Sequence, residues 1–359
     1  MFKVCIISCG MIANEAHIPA YRMFPDDFEI VGVCDINETA AQKTASNNGI
    51  LHYYTNAEQM LCELKPDVVS VCVPNCFHKE YTIMALNHGA NVLCEKPLAF
   101  TYEDAVDMYD TAKRNNRFLM ACQSMRYTPD RLAAKKYILQ NGIDDFYYGE
   151  ISRIRTRGIP TWGTFHIKKI NCGGAFLDIG VHMLDALLWL LGNPKIKSVT
   201  GAVMQNHKYE IGSLIDGGVL TGKIGNIRKF DPEEMDVEDF SCGMLTFENG
   251  VRVNFKVAWA ANMPEESSIS IIGKTAGIYI PEGKIFFGDK SEKKLDMPAL
   301  KYKYAFPGHI YLADNIRKVL KGEEDLAVKP EETINVSKII ELFYDSANQN
   351  REEKAEGLK

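Results

Sequence analysis

The stretch GGAFLDIGVHMLDAL, Gly173 to Leu187, sets an aspartate and a histidine four residues apart inside an otherwise apolar run. Four residues is about one helical turn, so Asp178 and His182 share a face if the run is helical. Titratable groups are rarely placed on an apolar face unless they are paired or working. Taken alone, the pair fits a local cap beside a satisfied core histidine as well as it fits a proton-handling pair. In the second reading His182, whose type titrates near neutrality, takes the proton of a hydroxyl, and Asp178 orients the imidazole. A third group is Lys96 in CEKPLAF, at the end of an apolar run. A lysine at the carboxyl end of a parallel strand points into the crevice where ligands of open α/β sheets bind, and there it stabilises developing alkoxide charge. By itself Lys96 reads equally as a solvated surface lysine.

The elements around these residues decide between the readings. From Lys3 to about Ser124, apolar β-branched runs (FKVCIIS, FEIVGVCD, DVVSVCVP, NVLCEKP, RFLMACQ) alternate with helix-like segments. Such near-continuous apolar runs suit a parallel sheet covered on both faces, and the alternation predicts a doubly wound fold. Helix starts are expected at Thr55, with Glu58 completing a capping box, and at Thr101. The first strand runs into SCGMIA, a dinucleotide fingerprint with Ser8 in place of its first glycine, Gly10 at its centre, then Met11 and Ile12, and Ala13 in third place. Asp35 closes the second strand in VGVCD, where a carboxylate accepts hydrogen bonds from both ribose hydroxyls and repels a 2′-phosphate. The alternative for Asp35 is an N-cap before INETAAQKT. Fingerprint and acid together predict NAD as cofactor, with NADP second.

The whole chain has 359 residues, 46% hydrophobic and 25% charged, with a formal net charge of -6. That is room for two domains, and it argues against broad contact with nucleic acid or an anionic membrane. Ten cysteines without a C-x-x-C pair predict reduced, mostly buried thiols and no metal centre. No leader-like segment or membrane-length run stands out, and a cytoplasmic location is expected.

From Ile151 the pattern changes. ISRIRTRG alternates, placing Arg153, Arg155 and Arg157 on one strand face, which reads as a solvated face or as a source of one substrate contact. Hairpins are expected at Asn249-Gly250 and between Gly273 and Gly277, and the tail reads as two helices, the first ending near Gly322. The segment 205–239 is glycine-rich, charged and aperiodic, which suits a long loop serving as a lid or an oligomerisation arm.

SCGMIANEAHIPA, VPNCFHKEYTIMAL, CEKPLA, QSMRYTP and GGAFLDIGVHMLD follow one another as in the Gfo/Idh/MocA oxidoreductases, which the whole chain resembles. The resemblance implies an α/β protein with an N-terminal Rossmann domain over 1–124. Over 125–359 it implies a substrate-binding and oligomerisation domain built on a large open, mostly antiparallel sheet. It also implies a homo-oligomer, a dimer or tetramer, formed through that sheet. The implied activity is NAD(P)-dependent oxidation of a secondary hydroxyl of a sugar, glycoside or cyclitol. A sugar oxidoreductase that retains its NAD, and a sugar-sensing regulator, are the alternatives. Carried over residue by residue, Lys96, Asp178 and His182 are catalytic. Ser8, Gly10, Met11, Ile12, Asp35, Pro74, Asn75, His78, Glu95, Lys96 and Gln123 meet the cofactor. Beside the carry-over, Arg126, Arg155 and Trp162 are expected to join Lys96, Asp178 and His182 at the substrate, Trp162 and His166 reading equally as ordinary packing, and the resemblance implies a cis Lys96-Pro97 bond. Ser8 is the departure from the family pattern, where glycine is usual.

Overall fold

A computed structural model of the protein describes residues 1–208, 230–299, 302 and 304–358. They form two compact units. The first takes residues 1–124 together with 301–333, and the second takes the described residues of 125–300 with 334–358. A single cut after 124 therefore leaves the segment 301–333 on the wrong side. Its helix Pro307–Leu320 packs against residues of the first unit through His309 and Arg317, contacts too distant in sequence for composition to announce.

The first unit holds a six-stranded parallel sheet in the order β3-β2-β1-β4-β5-β6. The strands are β1 (Phe2–Ile7), β2 (Phe28–Cys34), β3 (His52–Tyr54), β4 (Val68–Val71), β5 (Asn91–Cys94) and β6 (Leu119–Ala121). Val4, Cys5, Ile6, Val68, Val69 and Val71 are fully buried, as strands covered on both faces require. Strand β3 escapes a reading by hydrophobic runs because it has three residues, of which His52 and Tyr53 are exposed. The strand order reverses between β1 and β4, and ligands of doubly wound sheets bind at the carboxyl ends beside that reversal. Helix Tyr102–Arg114 starts as expected, with Thr101 Oγ1 accepting from the Asp104 amide. Helix Ala57–Leu64 is capped by Asn56 rather than Thr55: Asn56 Oδ1 accepts from the Gln59 amide at 2.9 Å, which displaces the expected capping box.

Among the described residues, the second unit holds a nine-stranded sheet in the order β14 (Glu292–Lys294), β13 (Lys284–Phe286), β12 (Gly277–Ile280), β11 (Glu266–Gly273), β7 (Phe146–Ile154), β10 (Arg252–Ala258), β9 (Phe240–Phe247), β8 (Ile196–Met204) and β15 (Glu353–Lys354). Its strands β7 and β10 are parallel, and the remaining pairs are antiparallel. Strand β9 turns into β10 at Asn249-Gly250, where Gly250 takes a φ of 87°. Strand β11 turns into β12 as expected. One face of this sheet is covered by the apolar run. Phe176 packs on Phe255 of β10 with ring centroids 5.0 Å apart, and on Phe343 of helix Pro330–Gln349 at 4.3 Å.

The helical stretch Lys168–Leu190 is long and apolar enough to cross a membrane, contrary to the expectation that no run reaches that length. Its most apolar 18-residue window has a mean hydropathy of 1.3, and 83% of that window is buried inside the protein, as suits a helix sandwiched in a core. Within 205–239, residues 209–229 lie outside the described residues, so the lid or arm expected there does too. The flanks are pinned: Asp239 Oδ2 accepts from the amides of Asn206 and His207.

Eight cysteines are free thiols, six of them buried. Burial pushes Cys5 and Cys9 up to about 12, so neither is a ready nucleophile. Cys76 and Cys172 are not among the free thiols, which overturns the expectation of ten reduced cysteines.

Candidate active site

In the first unit, the carboxyl ends of β1, β2, β4, β5 and β6 carry Ser8, Asp35, Asn75, Lys96 and Gln123. Ser8 takes a φ of 80°, the left-handed backbone that glycine adopts freely. The turn is held by the Ser8 amide donating to Cys34 O at 2.7 Å and the Cys9 amide donating to Asp35 Oδ2 at 2.8 Å. The first helical bond beyond it runs from the Asn14 amide to Gly10 O. The amides of Met11, Ile12 and Ala13 thus have no acceptor within their own helix and face the strand end, the arrangement that receives a pyrophosphate.

Asp35 is not the helix cap. Asn37 is, its Oδ1 accepting from the Ala40 amide at 3.2 Å. Asp35 Oδ2 accepts from the Cys9 amide and, at 3.5 Å, from Ser8 Oγ, while Oδ1 accepts from the Asn37 amide and keeps a further lone pair for a ribose hydroxyl. Gln123 is 1% exposed, and both atoms of its carboxamide lack a hydrogen-bond partner among the described residues. A buried amide left without partners calls for a polar ligand group. These features fit a dinucleotide.

Pro74, extended at φ -60° and ψ 153°, leads into the short turn Asn75–Phe77. His78 is buried, its ring nitrogens facing Pro97 O at 2.6 Å and Val73 O at 3.0 Å. It braces two loops rather than presenting a free edge to a ligand, which corrects its assignment as a cofactor contact. Burial pushes its pKa down against the pull of those carbonyls. Lys96 is half-buried and enters a cis bond to Pro97. Glu95 is buried below it. Its Oε2 accepts from the Lys96 amide at 3.1 Å, and its Oε1 faces His17 Nε2 at 2.8 Å and His309 Nε2 at 3.1 Å. Burial works to raise its pKa, but the two imidazoles outweigh burial and hold the carboxyl well below the usual range.

In the second unit, the apolar run forms a π-helical turn, Phe176–Gly180, closed by the Val181 amide on Phe176 O, and continues as helix Val181–Leu190. Such turns frequently mark functional sites. Asp178 lies on the π turn and His182 in the first turn of the helix. Asp178 Oδ2 accepts from Trp259 Nε1 at 2.9 Å. Trp259 is fully buried and follows β10 on the face shared with Phe255 and Val257. The start of the run is held by Glu238, whose carboxylate accepts from the Gly174 amide at 2.9 Å, the Phe176 amide at 3.1 Å and Tyr344 Oη at 2.8 Å. Gly174 admits no side chain: a Cβ there would fall 2.1 Å from Glu238 O.

Arg126, expected at the substrate, is 1% exposed and forks onto Asp185 of the same helix through Nε at 2.7 Å and Nη2 at 2.6 Å. A buried, bidentate ion pair is a structural clamp, and this corrects the assignment. Arg153 sits opposite Val257 on the sheet face that the helix covers, not on a solvated face. Burial and the neighbouring Arg155 guanidinium lower its pKa. Arg155 donates to Gly158 O at 3.2 Å. Trp162 rests edge-on to Phe165, and its indole N–H lacks a partner among the described residues. Sequence reasoning missed Trp259, Glu238, His17 and His309. The alternation in FKVAWA, residues 255–260, could have placed Trp259 on the face of Phe255 and Val257, but nothing local names its partner.

Comparison with known proteins bears out the fold and the family. The profile described as "Oxidoreductase family, NAD-binding Rossmann fold" matches residues 2–122, and the "GFO/IDH/MocA C-terminal domain" matches residues 132–279. The chain is 34% identical over 313 residues to D-glucoside 3-dehydrogenase of Escherichia coli (strain K12), spanning 87% of this chain and 79% of that protein. It is 26% identical over 267 residues to a scyllo-inositol 2-dehydrogenase (NADP(+)) of Bacillus subtilis (strain 168), spanning 71% and 80%. Among solved structures, an NAD-binding protein from Listeria innocua superposes with a TM-score of 0.76 at 26% identity, covering 98% of this chain and 96% of that one. With profiles matching both halves and a relative this similar along most of its length, the chain belongs to the Gfo/Idh/MocA family of NAD(P)-dependent oxidoreductases.

Proposed function

We propose that this protein oxidises a secondary hydroxyl of a sugar, glycoside or cyclitol to the ketone, with Lys96, Asp178 and His182 as the proton-handling set. The observation that carries the reading is Asp178: a carboxylate on a π turn of a core helix, held by a buried indole and one turn from an imidazole. A half-buried carboxylate held in one orientation on the turn before a histidine is the arrangement that steers an imidazole. NAD, when bound, supplies the hydride acceptor. The protein's own part is to remove the hydroxyl proton and steady the oxygen left behind. His182 accepts that proton, Asp178 orients the imidazole, and the Lys96 ammonium supplies positive charge for a developing alkoxide. Asp35 favours NAD over NADP because its carboxylate repels a 2′-phosphate.

The similarity to D-glucoside 3-dehydrogenase makes C3 of a D-glucoside the first position to test. We also read the protein as a homo-oligomer through its nine-stranded sheet. In support, Met204, Met244, Ile272 and Phe286 are exposed on the side of that sheet opposite the buried Leu245, Ile271 and Ile285.

The test is a panel of glucosides, inositols and free sugars followed by NADH absorbance, with NAD and NADP in parallel. Reduction of NAD by at least one polyol is expected; binding of NAD with no reduction by any member would turn the reading to a regulator. His182→Ala and Lys96→Ala, compared as pH–rate profiles, assign the base. Near-normal turnover in the histidine variant removes His182 from that role.

A further inference from the structure

His17, Cys122 and His309 have no part in the proton transfer above, yet they meet Glu95 inside the first unit. Each comes from a different segment: the π-helical turn Ala13–His17, the residue after β6, helix Pro307–Leu320, and the residue after β5. All four are buried. One donor atom from each, two imidazole nitrogens, a carboxylate oxygen and a sulfur, lies within 4.8 Å of the other three. Both Nε2 atoms aim at the same oxygen, Glu95 Oε1.

The geometry points to a divalent transition-metal site, with zinc the ion whose preferences it meets best. Two imidazoles, one thiolate and one carboxylate make a four-ligand set of the kind that holds zinc, and the sulfur selects against magnesium and calcium. Tetrahedral bonds of roughly 2.0–2.3 Å place donor atoms about 3.3–3.8 Å apart. The separations here, from 2.8 Å up to at most 4.8 Å, bracket that range, so capture needs only small side-chain shifts. The outer contacts suit ligands. His17 Nδ1 is engaged by Ser70 Oγ at 3.0 Å, itself 2.9 Å from Tyr21 Oη, and Glu95 Oε2 is occupied by the Lys96 amide, leaving Oε1 to the ion. The carboxylate and thiolate together balance a dication. Such an ion pins helix Pro307–Leu320 to the strand ends that carry Lys96 and Gln123, whatever substrate the enzyme oxidises.

The test is elemental analysis of the full-length protein purified without chelators, with cobalt substituted during growth in a second preparation. About one zinc per chain is expected in the wild type, and well under about a tenth of that in His309→Asn. The cobalt protein should show visible d–d bands with a thiolate charge-transfer band, and Cys122→Ala should lose the latter. Wild-type protein that holds no stoichiometric metal, gives no cobalt spectrum and shows no shift in melting temperature with added zinc would overturn the site. The cluster would then be a hydrogen-bonded His–Glu–His group. The wild-type measurements decide even if a variant fails to fold.

Discussion

Trp259 and Asp178, 81 residues apart in sequence, are joined by a 2.9 Å hydrogen bond from the indole Nε1 to Oδ2. The donor is rigid and fully buried, so it fixes the direction in which the carboxylate faces. Trp259→Phe keeps most of the apolar packing and removes the donor. A hydrogen bond to a charged group is worth roughly 1.5–3 kcal/mol, so kcat/KM should fall about tenfold or more. The pH–rate profile should shift as well, which a purely structural loss would leave in place. Wild-type kcat/KM and pH dependence in this variant would remove Trp259 from the site.

Ser8 occupies backbone at φ 80°, which an L side chain enters only with strain. Ser8→Gly should therefore stabilise the protein by up to about 1 kcal/mol, seen as a higher melting temperature. Ser8→Ala should give no such gain. Equal melting temperatures for the glycine and alanine variants would show that the turn is unstrained.

Most of what the sequence disclosed is local. The strands β1, β2, β4, β5 and β6 are apolar runs, Thr101 caps the helix it precedes, and Gly250 marks its hairpin, because each depends on residues a few positions away. What stayed hidden depends on distant chain. Asn56 wins the cap from Thr55 by one residue of register. Arg126 looked free until Asp185, 59 residues on, closed over it. His309 meets Glu95 across 214 residues, and Glu238 reaches the start of the Asp178 run across 64. A polar side chain's type can be read in order along the chain, but its partner is set by tertiary packing.

Asp27 anchors helix Pro307–Leu320, with Lys321 Nζ at 2.5 Å and Arg317 Nη1 at 3.2 Å. The hydrogen bond from Lys321, aided by Arg317, holds its carboxyl below the usual value. A depressed folded pKa gives stability that is present above the unfolded value of about 3.9 and is lost as pH falls through the lower folded one. Urea melts of the wild type below about pH 4 should thus show falling stability, and Asp27→Asn should flatten that limb. An identical acid limb in both proteins would show the anchor to be inert.

Glu238 carries three donors on one buried carboxylate: the amides of Gly174 and Phe176, and Tyr344 Oη. Glu238→Gln replaces one oxygen with an NH2 group that must face one of these donors, which should cost about 1–3 kcal/mol and loosen the run bearing Asp178 and His182. Tyr344→Phe removes a single donor and should cost about 1 kcal/mol. Burial raises the Glu238 pKa, with the three donors opposing it. A carboxyl raised in the folded state binds a proton there more readily than in the unfolded chain, so its contribution to stability declines as pH rises from about 4.3 through the folded value. That decline should vanish in Glu238→Gln. Denaturation curves across this window, with turnover measured on the same samples, separate a loosened helix from an altered charge. A variant that keeps both wild-type stability and wild-type kcat would show that Glu238 holds nothing the site needs.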